Sequence, residues 1–146
     1  MKSWWTVFAV LGALWAGTAS AEQAIRSGDW VLHYMTLNTT ELTPDVAKTY
    51  GVRRSKRRGL LMLNLQKAQG PVKSYDHSAE GTIRNLVGQT KIEEQRRVET
   101  KDAIYTLVTF SYTHLETLRF DYQVQPEQSA EQISLKFHQQ MFTPGR

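Results

Sequence analysis

Five cations stand close together at Arg53, Arg54, Lys56, Arg57 and Arg58. Guanidinium forks and an ammonium are built to meet phosphate or carboxylate oxygens. On an extended segment neighbouring side chains alternate in direction, so the five cannot all face one partner. Two readings follow: a solvated loop, or a contact for an anionic surface or an acidic partner, with Tyr50 beside it. No aromatic residue is interleaved between Arg53 and Arg58 to stack on bases, so nucleic acid is not expected as a partner.

A second cluster suggests different chemistry. Asp76, His77 and Glu80 crowd one expected loop, and carboxylates with an imidazole could hold a hard or borderline metal. A metal-dependent or hydrolytic enzyme would be the alternative reading. The other histidines, His33, His114 and His138, are scattered without the spacing of a metal clamp. There is no cysteine, no Gly-x-Ser-x-Gly elbow and no glycine-rich phosphate loop. No catalytic residue is therefore assigned, and no cofactor is called for.

The elements that must position these residues are mostly strands. Trp30 to Leu37 is aromatic and β-branched, with apolar residues on both sides. Thr43 to Gly51 is the one helix, with Thr43 as cap, Pro44 at the first position, Asp45 at the positive dipole end and Gly51 as terminator. Val46 and Tyr50 lie four apart, so that edge should rest on the body as a strap. Before them, Asn38-Thr39-Thr40 reads as a turn whose side chains hold the backbone. Gly59 opens an apolar strand with Leu61, Leu63 and Leu65 on one face.

Glu80 to Leu86 and Thr90 to Val98 are shorter and more polar. The second carries Glu93, Glu94, Arg96 and Arg97, the pattern of an edge strand that discourages further pairing. Ile104 to Tyr112, Leu118 to Val124 and Ile133 to His138 alternate strictly, as half-buried strands do. Glu22 to Gly28 is expected to be a loose lead-in. Seven strands with regular turns and one short helix predict an all-β fold. The expected architecture is an antiparallel immunoglobulin- or fibronectin-like β-sandwich, with a closed barrel as runner-up.

The N-terminus bears on location. Lys2 precedes an uncharged apolar stretch from Trp4 to Ala16, and Ala19-Ser20-Ala21 has the small-x-small pattern of a signal-peptide cleavage site. The stretch is shorter than the roughly 20 residues of a spanning helix. Residues 1–21 are therefore expected to be a signal peptide cleaved after Ala21. Residues 22–146 remain as one periplasmic domain, not an integral membrane protein. That length can bury a real core without disulfides, and none is available. The formal net charge of +4 is too mild to mark a nucleic-acid binder in bulk.

Several segments carry a family likeness: His33-Tyr34, Asn38-Thr39-Thr40, Leu42 to Lys48, Tyr50-Gly51, Arg54-Ser55-Lys56 and Gly59-Leu60-Leu61. Asn85-Leu86, Gly88-Gln89, Asp102 to Tyr105 and Leu118-Arg119-Phe120 continue it. Together they resemble a bacterial family of short secreted proteins, domain-of-unknown-function family 4426. The resemblance implies export in a Gram-negative bacterium and a β-sandwich, and it supplies no catalytic residue. Met35, Thr36 and Arg57-Arg58 depart from the family's pattern. The expected role is a non-catalytic binding or interaction module of the cell envelope. Arg53, Arg54, Lys56, Arg57, Arg58 and Tyr50 are its candidate surface, and an anionic envelope surface or an envelope protein is its partner.

Overall fold

The computed structural model describes residues 23–145, so the expected leader and its cleavage point lie outside the described residues. Eight strands form two antiparallel sheets. The chain runs β1 (Gln23–Ser27), β2 (Trp30–Asn38), a 3-10 turn (Thr39–Glu41), α1 (Pro44–Tyr50), β3 (Arg58–Lys67) and β4 (His77–Asn85). It continues with β5 (Ile92–Glu99), β6 (Ile104–Ser111), β7 (Thr117–Pro126) and β8 (Ile133–Gln140). One sheet has the order β1-β2-β3-β6-β5 and the other β4-β7-β8.

Without β1, the order β2-β3-β6-β5 facing β4-β7-β8 is the four-against-three arrangement of an immunoglobulin constant-type sandwich. β1 is the strand beyond the expected seven. The lead-in pairs because Gly28-Asp29 makes a two-residue hairpin turn, with Gly28 at φ 58° and Ser27 opposite Trp30. Ile25 then packs against the core. β5 is an edge strand, as its charges predict.

The core lies between the sheets. Alternation sends Leu61, Leu63 and Leu65 of β3 and Val108 and Phe110 of β6 inward from one sheet. Ile83, Leu118, Phe120, Tyr122, Val124, Ile133 and Leu135 meet them from the other. Phe120 stacks on Phe137 at 4.4 Å and meets Phe110 edge-on at 5.4 Å, both favoured ring geometries.

A second, smaller cluster gathers Val52, Leu60 and Leu107, with Leu37, Leu42, Tyr50 and Tyr105 against it. Leu60 and Leu107 are the out-of-phase residues of β3 and β6, so the α1 segment covers the outer face of the larger sheet. The strap is real, but its contact differs from the expected one. Ala47 is buried and Val46 is exposed, because the helix rolls its small residue onto the sheet.

Candidate functional site

The basic run lies at one end of the sandwich, where the β2–β3, β4–β5 and β6–β7 connections meet the tail after β8. Local hydrogen bonding fixes its frame. Asn38 caps the 3-10 turn: its side-chain carbonyl accepts from Thr40 N at 2.8 Å, while its own N–H donates to Glu41 Oε2 at 2.7 Å. Its amide Nδ2 donates to Lys56 O at 2.8 Å and to Tyr112 Oη at 2.5 Å. Thr39, fully buried, donates to Ser55 O at 3.0 Å and accepts from Ser55 N at 2.8 Å. The polar turn expected from Asn38-Thr39-Thr40 therefore grips the far end of the same connection.

Between those anchors α1 forms as its caps require. Thr43 Oγ1 accepts from Val46 N at 3.3 Å, and Gly51 closes the helix at φ 69°. Val52 then docks into the outer cluster. The chain emerges as an open strip from Arg53, turning back at Lys56 and Arg57 through the Arg58 N to Ser55 O bond of 3.1 Å. Tyr112 N donates to Arg57 O at 3.0 Å and secures the turn to the end of β6.

The five cations do not act alike. Arg53, Arg54, Lys56 and Arg57 are exposed, and none has an acidic partner among the described residues. Arg54 donates to Thr40 O at 3.1 Å, which steadies it without neutralising it. Arg58 differs. It is half-buried, donates to Glu93 Oε2 at 2.6 Å and reaches Arg53 O at 3.3 Å. Glu93 is the extra residue of a bulge in β5, which re-aims its carboxylate at Arg58. Arg58 is thus a structural residue. Tyr50 is also turned inward, half-buried in the outer cluster with its ring 6.1 Å from Tyr105, so it supports the surface from beneath.

The alternative cluster is dispersed by the fold. His77 belongs to β4, where its ring is buried between Tyr75 O at 3.0 Å from Nδ1 and Thr106 Oγ1 at 2.8 Å from Nε2. That contact ties the smaller sheet to β6 of the larger. Asp76 accepts from Arg97 Nε and Nη2, each at 2.9 Å. That hydrogen bond first, and then the neighbouring charge, hold its carboxyl below the ordinary range. Glu80 is exposed three positions along the strand from His77, on the opposite face. The expected loop is a strand, and strand geometry separates the residues it was thought to gather. Among the described residues, no group of three or more His, Cys, Asp or Glu stands close enough to hold a metal.

Residues 24–144 match the family described as Domain of unknown function (DUF4426). The chain belongs to the DUF4426 family. A crystal structure of a DUF4426 family protein from Pseudomonas aeruginosa PAO1 superposes with a TM-score of 0.72 at 31% identity, covering 84% of this chain and 95% of that one. The copper-bound form of a variant of FetP from uropathogenic Escherichia coli strain F11 shares the fold. Its TM-score is 0.57 at 10% identity, over 84% of this chain and 96% of that one. No curated protein matches the chain. The β-sandwich implied by the family likeness is the fold observed.

This DUF4426 protein completes its basic end with residues whose bonding partners periodicity does not reveal. Tyr112 joins β2, the basic turn and the tail, since its hydroxyl also donates to Phe142 O at 2.9 Å. Burial pushes the Tyr112 phenol above its ordinary value, and the Glu41 carboxylate adds to that push. Asn85 folds the β4–β5 connection by accepting from Gln89 N at 2.9 Å, and its amide donates to Glu116 Oε2 at 3.1 Å. Glu116 also pairs with Lys91 at 3.2 Å. His114 accepts from Thr143 N at 3.1 Å and holds the tail. The signal for these residues is polar side chains at or just beyond strand ends, and their cross-sheet partners are too distant in sequence to name. Among the described residues, no helix is long and apolar enough to cross a membrane.

Proposed function

We propose that this DUF4426 protein is exported to the periplasm, loses residues 1–21, and works as a non-catalytic binding module of the cell envelope. Its contact is with an anionic surface, through Arg53, Arg54, Lys56 and Arg57. One observation carries the reading. Four exposed cations are displayed from a turn pinned at Ser55 and Lys56 by buried Thr39 and Asn38, with no acidic partner among the described residues. A merely solvated loop has no need of two buried polar residues pinning its backbone. The leader supports the compartment, where phosphate-bearing lipid is the abundant anionic surface.

Each cation near an anionic bilayer contributes about 1 kcal/mol, so three or four engaged residues give a weak, salt-sensitive attachment. The test is sedimentation of residues 22–146 with anionic and with neutral vesicles, at low and high salt. Association with the anionic vesicles alone, lost at high salt and lost in an Arg53, Arg54 and Arg57→Ala variant, is the expected result. No association at either salt would remove the anionic surface and leave a protein partner as the object of search.

A further inference from the structure

The basic turn is only part of this end of the sandwich. Six large apolar side chains are exposed among the described residues, and five of them belong to the connections at this end. Val87 is 80% exposed and Leu86 59%, both on the β4–β5 turn; Leu115 is 51% exposed on the β6–β7 turn; Phe142 is 59% exposed on the tail. Val46 on α1 is the fifth, and Val72 alone lies at the opposite end. Single exposed apolar residues need no explanation, but a set gathered on one end does.

Leu115 is the most telling of the set. Its φ of 69° makes it the one non-glycine residue with positive φ among the described residues. A left-handed residue without a polar side chain to bond locally is disfavoured, and glycine or asparagine would fill the position more easily. The turn is nonetheless held firmly: Leu115 N donates to Met141 O at 2.8 Å, Gln140 Nε2 to Leu115 O at 3.0 Å, and Glu116 N to Thr113 O at 3.1 Å. The turn accounts for the backbone, but a leucine 51% exposed adds little to the core, which leaves its side chain available for contact outside the molecule.

The apolar tips and the cations share one frame. Tyr112 bonds Arg57 O through its N–H and Phe142 O through its hydroxyl, and the Lys56 ammonium lies against Gly145. His114 stands against Phe142 with ring centres 6.1 Å apart. Asn85 links the Leu86–Val87 turn to Glu116, the neighbour of Leu115. Of the acids nearby, Glu116 is bridged by Lys91 and Glu93 by Arg58. Glu41, held by the Asn38 N–H, and Asp45, on the first turn of α1, are exposed and meet no cation among the described residues, so the four free cations outnumber them at the rim.

Building on the anionic-surface reading above, we infer that this end docks tip-first on an anionic bilayer. Leu115, Phe142 and the Leu86–Val87 turn enter the headgroup boundary while Arg53, Arg54, Lys56 and Arg57 meet lipid phosphates. Cations alone would suit any acidic partner. Apolar tips beside them suit a surface whose charge lies over hydrocarbon, the same division that places amphipathic segments at the interface, about 5–10 Å deep. The remaining faces stay in water, so the attachment is reversible.

The absence of native cysteine permits a clean test. Single-site variants Leu115→Cys, Phe142→Cys and, at the far end, Val72→Cys are made in residues 22–146 and labelled with an environment-sensitive fluorophore. They are mixed with phosphatidylglycerol–phosphatidylcholine vesicles at low salt. The expected result is a blue shift and protection from iodide quenching at positions 115 and 142, with position 72 unchanged. A Leu115→Ser, Phe142→Ser double variant, its charge intact, binds the vesicles at least about tenfold more weakly. Salt-sensitive binding with both tip labels still in water would overturn tip insertion and leave the basic contact standing. No binding to these vesicles would overturn both.

Discussion

Asn38 places one carboxamide where three segments meet, and the basic turn depends on it more than on any cation. Replacing it with Ala leaves the Lys56 carbonyl and the Tyr112 hydroxyl without their donor and removes the cap of the 3-10 turn. The loss should be about 2–3 kcal/mol, from unanswered buried polar groups and the missing cap. Urea unfolding of Asn38→Ala is expected to show a lower midpoint with an unchanged slope. At this scale the sequence was legible in part. A turn rich in Asn and Thr announces that its side chains bond backbone, which they do. It does not say that Tyr112, 74 positions on, completes the bond set, because contacts across a sandwich depend on topology. The same limit hid the difference between Arg58 and its neighbours, since only the β5 bulge brings Glu93 to it.

Elements were easier to read than their contacts. Period-2 alternation marks β7 and β8 because each has one wet face. It marks β6 by its alternating residue types, although the α1 segment covers its outer face at Leu107, and the caps of α1 are local chemistry. Val46 was misplaced because helical spacing gives a face but not the roll that brings Ala47 onto the sheet. Two glycines separate local from tertiary demands. Gly51 ends α1 in the left-handed region, so Gly51→Ala should cost about 1 kcal/mol of backbone strain, with the flexible Arg96 side chain able to move aside. Gly81 sits opposite Tyr122 in the smaller sheet, and a Cβ there would overlap the Asp121 carbonyl and the Tyr122 ring. Backbone cannot yield as a side chain can. Gly81→Ala should cost about 2–3 kcal/mol or more, and thermal unfolding of the two variants side by side checks the ranking.

At the scale of the molecule, charge and topology decide behaviour. Burial works against the charge of Glu116, but hydrogen bonds from Asn85, Lys91 and Thr113 N outweigh it and hold the carboxyl below its ordinary value. A lowered folded value contributes stability that is present above the unfolded value, about 4.3, and is lost as pH falls through the folded one. Glu116→Gln should therefore be less stable than the parent by about 1 kcal/mol at neutral pH, and the deficit should close in acid as the parent protonates. Urea midpoints measured from pH 7 to pH 3 would show that convergence. Equal deficits at every pH would assign the loss to packing. The sandwich class was legible from strand number and turn spacing, while the division into five strands and three was not, since no local signal says which strands will be neighbours. That division has a consequence for how the chain is made. β1, β2 and β3 are neighbours in chain order, but β3 needs β6 on its other side, and β4 needs β7 with β5 and β6 between them in sequence. A chain that emerges from its N-terminus thus carries Leu61, Leu63 and Ile83 uncovered until β6 and β7 have followed. For that interval its safety rests on whatever holds unfinished chains apart, since its own second layer closes only with the last strand.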